Sequence, residues 1–138
     1  MKRHPALIPL SHDHHHALVE ARRLRRAADG DEDPGPVAAA FVEFFAAETV
    51  PHFREEEETL FPLVVDSDEA RPLIVEALLD HQRLHALVAE LQGSTDVRRA
   101  MRELGELLEA HVRREERALF PLIERLAAGR LERGRGRS

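Results

Sequence analysis

Cysteine, tyrosine and tryptophan are all missing from this 138-residue chain. Without cysteine there can be no disulfide, thiolate metal site or cysteine nucleophile. Without any of the three, the chain has no obvious side-chain relay for radicals. No apolar run approaches the roughly 20 residues that cross a bilayer, and the opening stretch MKRHPALIPLSHD lacks the apolar core of an export signal. A cytoplasmic protein without membrane partners is expected. Strand-like alternation is absent. So are the zinc-protease motif H-E-x-x-H and phosphate-cradling glycine loops. A formal charge of −6 argues against a nucleic-acid partner. The basic ending GRLERGRGRS is the exception, read as a flexible, solvated tail over 129–138 that leaves one domain at 1–128.

What the chain does have is histidine: nine of them, four between His12 and His16. It also has a repeat. HFREEEETLFPLV begins at His52 and HVRREERALFPLI at His111, and both read H-x-R-x-E-E-x-x-L-F-P-L. Composition alone does not supply a matched histidine or a matched Phe-Pro.

Proline, glycine and acidic clusters divide the chain into four helical segments. Ser11 suits the N-cap of a helix to about Ala28, preceded by an N-terminal arm over Leu7-Ile8-Pro9-Leu10. Pro36 suits the first turn of a helix to about Val64, with a kink at Pro51. A third helix runs from about Ala70 to Gln92 and a fourth from about Val97 to Ala127. Short connections between amphipathic helices predict an all-α, up-down-up-down four-helix bundle.

Each apolar stripe is interrupted by histidine. At about 100° per residue, His14 falls inside the first stripe, while His12, His15 and His16 point outward. His52 and Glu56 stack at i and i+4 on the second helix, and His111 and Glu115 do so on the fourth. On the third, the stripe of Ile74, Ala77, Leu78, Leu84, Val88 and Leu91 takes in both His81 and His85. Glu116 turns away, and Glu55, Glu57 and Glu58 read as surface charges. Glu48, one turn before His52, is expected to hydrogen-bond a ligand histidine or the arm. The inward set is therefore His14, His52, Glu56, His81, His85, His111 and Glu115. Seven polar groups are too costly to bury unpartnered. Imidazoles with carboxylates form a transition-metal ligand set, and two adjacent cations need bridging anions such as two carboxylates.

The order His, H-x-x-x-E, H-x-x-x-H, H-x-x-x-E across four helices resembles the hemerythrin-like family, the HHE cation-binding domain, from about Leu10 to Leu126. The resemblance implies two iron ions. His81, His85 and His111 would bind one, and His14 and His52 the other. Glu56 and Glu115 would bridge them, with an oxo or hydroxo group. The two-histidine iron would keep an open position for O₂ or another small diatomic or peroxide ligand. Oxygen carriage, buffering or sensing is then the leading expectation, ahead of dedicated enzyme activity. The alternatives are a redox protein consuming O₂, peroxide or nitric oxide, and an iron-responsive or structural bundle. The oxygen-carrying members place an aspartate five residues after its histidine, whereas Glu115 follows His111 by four. The ferritin-like di-iron fold is disfavoured, because no inward histidine has a glutamate three residues before it.

Overall fold

The computed structural model describes residues 3–93 and 95–135, with side chains through 132. Among the described residues the chain is all-helical, with no strand, and its elements form four helical rods. The first is α1, Ile8–Asp29. The second strings together α2 (Gly35–Phe44), a π-helical turn at Phe45–Thr49, α3 (Val50–Glu55), another at Glu56–Leu60 and a 3₁₀ turn at Phe61–Val64. The third is α4, Arg71–Gly93. The fourth joins α5 (Val97–Arg114), a π turn at Glu115–Leu119 and α6 (Phe120–Arg135). No described helix is long and apolar enough to cross a membrane.

The boundaries differ from expectation at both ends. A 3₁₀ turn at Pro5–Leu7, capped by the His4 side chain, leads straight into α1 at Ile8. Most of the segment expected to be an arm is therefore the first turn of the helix. Pro9 is tolerated there because first-turn N–H groups have no intrahelical acceptor. Ser11 does not cap; its hydroxyl donates to Glu116 at 2.8 Å. At the other end, Ala127 leaves helical geometry (φ −130°, ψ 21°), but the helix resumes to Arg135 and buries Leu131. Residues 136–138 of the expected tail lie outside the described residues.

The three π turns share a cause that is visible in the sequence. Each is followed, two residues on, by a proline: Pro51, Pro62 and Pro121. Proline lacks the N–H that would continue the α ladder, and its ring crowds the carbonyl four residues back. The chain widens by one residue just before it. Val50, Phe61 and Phe120 donate to carbonyls five residues earlier, on Phe45, Glu56 and Glu115. Wide turns of this kind often accompany functional sites. Two of them begin on the glutamates shared by the repeat.

The core forms two apolar clusters. One gathers Leu24, Phe41, Phe45, Leu84, Met101 and Leu104 with their neighbours. The other gathers Leu7, Leu60, Phe61, Ile74, Phe120 and Ile123 with theirs. Helices α1 and α5 approach closely at Gly105. A Cβ there would lie 2.8 Å from both the Ala21 carbonyl oxygen of α1 and the Arg25 Cγ. The arginine stem can move, but the backbone oxygen cannot move alone. In Gly105→Ala, helix propensity gains about 1 kcal/mol, against about 1–3 kcal/mol for overpacking. The expected net is a loss of about 1 kcal/mol, seen as a melting temperature a few degrees lower. An unchanged or higher value would show that α1 and α5 separate freely.

Candidate metal centre

Six of the seven residues expected to face inward meet between the rods. His14, His52, Glu56 and Glu115 form one group, and Glu56, His81, His111 and Glu115 form a second. Within each group, one ligand atom per residue lies within 4.8 Å of all the others. All six residues are buried. Both groups use the same two carboxylates, so two cations held here would share Glu56 and Glu115.

The inner atoms lack partners. Both Glu56 oxygens, Nε2 of His81 and His111, and Oε2 of Glu115 are buried without a hydrogen bond. His81 Nε2 nevertheless stands 3.0 Å from Glu56 Oε1, and the Nε2 atoms of His14 and His52 face each other at 3.1 Å. Leaving a buried polar atom unsatisfied costs about 1–3 kcal/mol. Borderline cations bound by imidazole nitrogen and carboxylate oxygen would satisfy them together, so the donor set fits such ions.

The outer nitrogens of the same rings are all partnered. Nδ1 of His14 pairs with Glu116 at 2.6 Å, and Nδ1 of His81 with Glu57 at 2.6 Å. Nδ1 of His52 pairs with Asp13 at 3.0 Å, and Nδ1 of His111 with Asp80 at 3.0 Å. A carboxylate on Nδ1–H fixes ring and tautomer and leaves the Nε2 lone pair for a metal. Glu116 is itself held by Ser11 and, at 3.1 Å, by Arg3. Asp80 is held by Arg114 at 2.5 Å.

These pairings obey an internal symmetry. Asp13-His14 on α1 corresponds to Asp80-His81 on α4, and His52, Glu56 and Glu57 correspond to His111, Glu115 and Glu116. The first glutamate of each Glu-Glu pair points to the centre. The second orients a histidine contributed by the other half. These partners differ from the expected surface charge at Glu57 and outward-turned Glu116. Both begin on the outer side of their rods, but a glutamate is long enough to reach a ring on the next. The signal available was the recurrence of Asp-His and Glu-Glu at matching places.

The protonation pattern follows from burial and these partners. Burial alone lowers a histidine, and it does so for His52 and takes His81 down to about 4 despite Glu57. Burial opposes charge on His14 too, but hydrogen bonds to Glu115 and Glu116 outweigh it and raise it to about 9. Burial and the neighbouring Glu115 charge push Glu56 well above the usual carboxylate range. Burial would raise Glu115 as well, but His111, Glu56 and His14 hold it well below. The metal-free centre thus stores protons on His14 and Glu56, and a cation would have to displace them.

Two expectations of placement are corrected. His85, expected to face inward, is exposed and lies outside both groups, edge-on to Phe45 at 5.1 Å between centroids. The α4 stripe explains why. Leu78 is 37% exposed whereas Leu87 is buried, so including Leu78 skewed the expected stripe toward His85. About the true centre, His85 lies at roughly 90°. Glu48 meets neither a ligand histidine nor the N-terminal residues; it faces His16 at 3.4 Å on the surface. His12 and His15 are exposed as well.

Two cavities of about 10 Å³, each enough for about one water-sized molecule, border the centre. One is lined by His14, His52 and His111 with Thr49, Phe53, Leu108 and Val112, and the other by Asp80, His111, Arg114 and Glu115.

The family model described as the hemerythrin HHE cation binding domain matches residues 7–123. Comparison with curated proteins and with solved structures gave no match.

Proposed function

Since the chain belongs to the hemerythrin HHE cation-binding family, we propose that it is a non-haem di-iron protein that binds O₂ or a similar small ligand, for oxygen carriage, buffering or sensing. The observation that carries this reading is the pair of four-residue groups sharing Glu56 and Glu115. Two rings serve each group, and two carboxylates offset the repulsion between neighbouring cations. The cavity lined by both His14 and His52 supports the placing of the small ligand, because it puts a water-sized space against both rings of that pair. Iron held at the centre would supply redox chemistry at an open coordination position.

In this proposal His14 and His52 hold one iron and His81 and His111 the other, with both glutamates between them. We keep His85 as the seventh ligand. It lies one turn beyond His81 on α4, and joining the set requires its side chain to leave the Phe45 ring. The rods are proposed to run up-down-up-down, which suits ligands drawn from all four.

Elemental analysis after ferrous loading tests the count: two irons per chain are expected. His14→Ala should lower the count to one, while His15→Ala stays at two. His85→Ala should also fall to one if that side chain joins the set. A wild-type plateau at one or zero defeats the dinuclear reading. Rapid mixing of the ferrous protein with O₂ then tests the ligand: a reversible adduct is expected, and immediate irreversible oxidation would assign a redox or iron-handling role instead.

A further inference from the structure

We propose that the Thr49 hydroxyl recognises the small ligand in the cavity beside His14 and His52, donating a hydrogen bond to the ligand atom farther from the ion. This deepens the dinuclear reading and rests on it. Thr49 is 5% exposed and lines that cavity. Its side chain makes no hydrogen bond to any described group. Its oxygen is not one of the fully enclosed unpartnered atoms of the described residues, so the free donor stays open to the cavity.

The internal symmetry sharpens the point. Thr49 stands three residues before His52, and its counterpart three residues before His111 is Leu108, which lines the same cavity. One half therefore places leucine where the other places a hydroxyl. The second difference between the halves lies four residues after the lead histidines, where Leu18 follows His14 and His85 follows His81. The half with fewer candidate nitrogen ligands is the half with the unused donor. Position also favours the role. Thr49 closes the π turn preceding Val50-Pro51, one turn from His52, so it shares that ligand's face. The rest of the wall is largely apolar, including Ala17, Phe44, Phe53 and Val112. Asp13, Glu48 and His111 also line it, but the two carboxylates accept rather than donate and face His52 and His16, and Nδ1 of His111 is taken by Asp80. The hydroxyl thus offers a donor that a diatomic, peroxide or azide ligand can use.

The test compares wild type, Thr49→Val and Thr49→Ser after iron loading and oxidation, each titrated with sodium azide and followed by visible absorption. Iron content and melting temperature are measured on the same samples. Valine keeps the shape and removes the donor; serine keeps the donor. All three should hold two irons and melt alike. Valine should weaken azide about tenfold, chiefly through faster release, and serine should stay within about twofold of wild type. Thr49→Val binding azide within twofold of wild type overturns the inference, as does a di-iron wild type that binds none. Wild type that takes up no iron would instead overturn the dinuclear reading on which it rests.

Discussion

Glu56→Ala protein, given excess ferrous iron, is expected to retain almost none, whereas His14→Ala retains about one ion per chain. The difference follows from sharing. A histidine serves one of the two groups, but Glu56 serves both. Removing it takes an anionic ligand from each cation and leaves Glu115 alone to offset their repulsion. Loss of at least a hundredfold in affinity for both is expected, and elemental analysis after desalting reads it. Glu115→Ala should behave alike. The metal-free variant supplies the control against simple unfolding. Glu56 is fully buried, with both oxygens unpartnered and its neighbour Glu115 ionised. Replacing it by alanine relieves that burden, so metal-free Glu56→Ala should melt no lower than metal-free wild type. By contrast, Glu57→Gln and Glu116→Gln alter only the support of a ring. A tenfold to hundredfold weakening that excess metal overcomes is expected. A Glu56→Ala protein that kept two ions would remove the bridging role from this residue.

Much of this was legible in the sequence because two periodicities coincide in it. Helical phase separates His14 from His12, His15 and His16, and the structure buries His14 alone of the four. The Phe-Pro repeat reported something real about local backbone: each proline forces the wide turn that begins on a shared glutamate. What helical phase could not report was reach between rods. Glu57 and Glu116 leave the wrong side of their own helices and still find His81 and His14, because a wheel describes Cβ directions on one helix. His85 is misjudged in its orientation for the opposite reason. It sits at the margin of its stripe, where one misassigned leucine decides which way the wheel is read. Thr49 is not legible from ligand spacing, since it stands out only as part of the cavity wall. The start of α1 was misplaced because Ser11 looks like a cap, but its hydroxyl is taken up by Glu116.

Metal-loaded protein should melt well above metal-free protein, and the gap should widen as pH rises from about 6.5 to about 9. The first part is mass action. An ion present at about a thousand times its dissociation constant, and bound only by the native arrangement, adds about 4 kcal/mol. For a domain of this size that is roughly 10 °C, before the second ion is counted. The pH dependence comes from His14. Its folded value, about 9, lies above the ordinary 6.5, because hydrogen bonds to Glu115 and Glu116 outweigh burial. A group raised in this way stabilises the metal-free fold fully below pH 6.5, and that contribution is lost as pH rises through about 9. The loss amounts to up to about 3 kcal/mol at 1.36 kcal/mol per pH unit. In the loaded protein the same ring has already given up its proton, so its stability changes little over that window. Binding must also release protons from His14 and Glu56, so metal affinity itself rises with pH. Both effects act in one direction. Thermal melts of the two forms at pH 6.5, 7.5 and 8.5, with a pH indicator recording proton release on loading, check the argument. Hydrogen exchange on residues 7–24, which carry His14, should show the largest gain in protection. A gap that stayed flat or narrowed with pH would mean that His14 carries no extra proton in the metal-free centre.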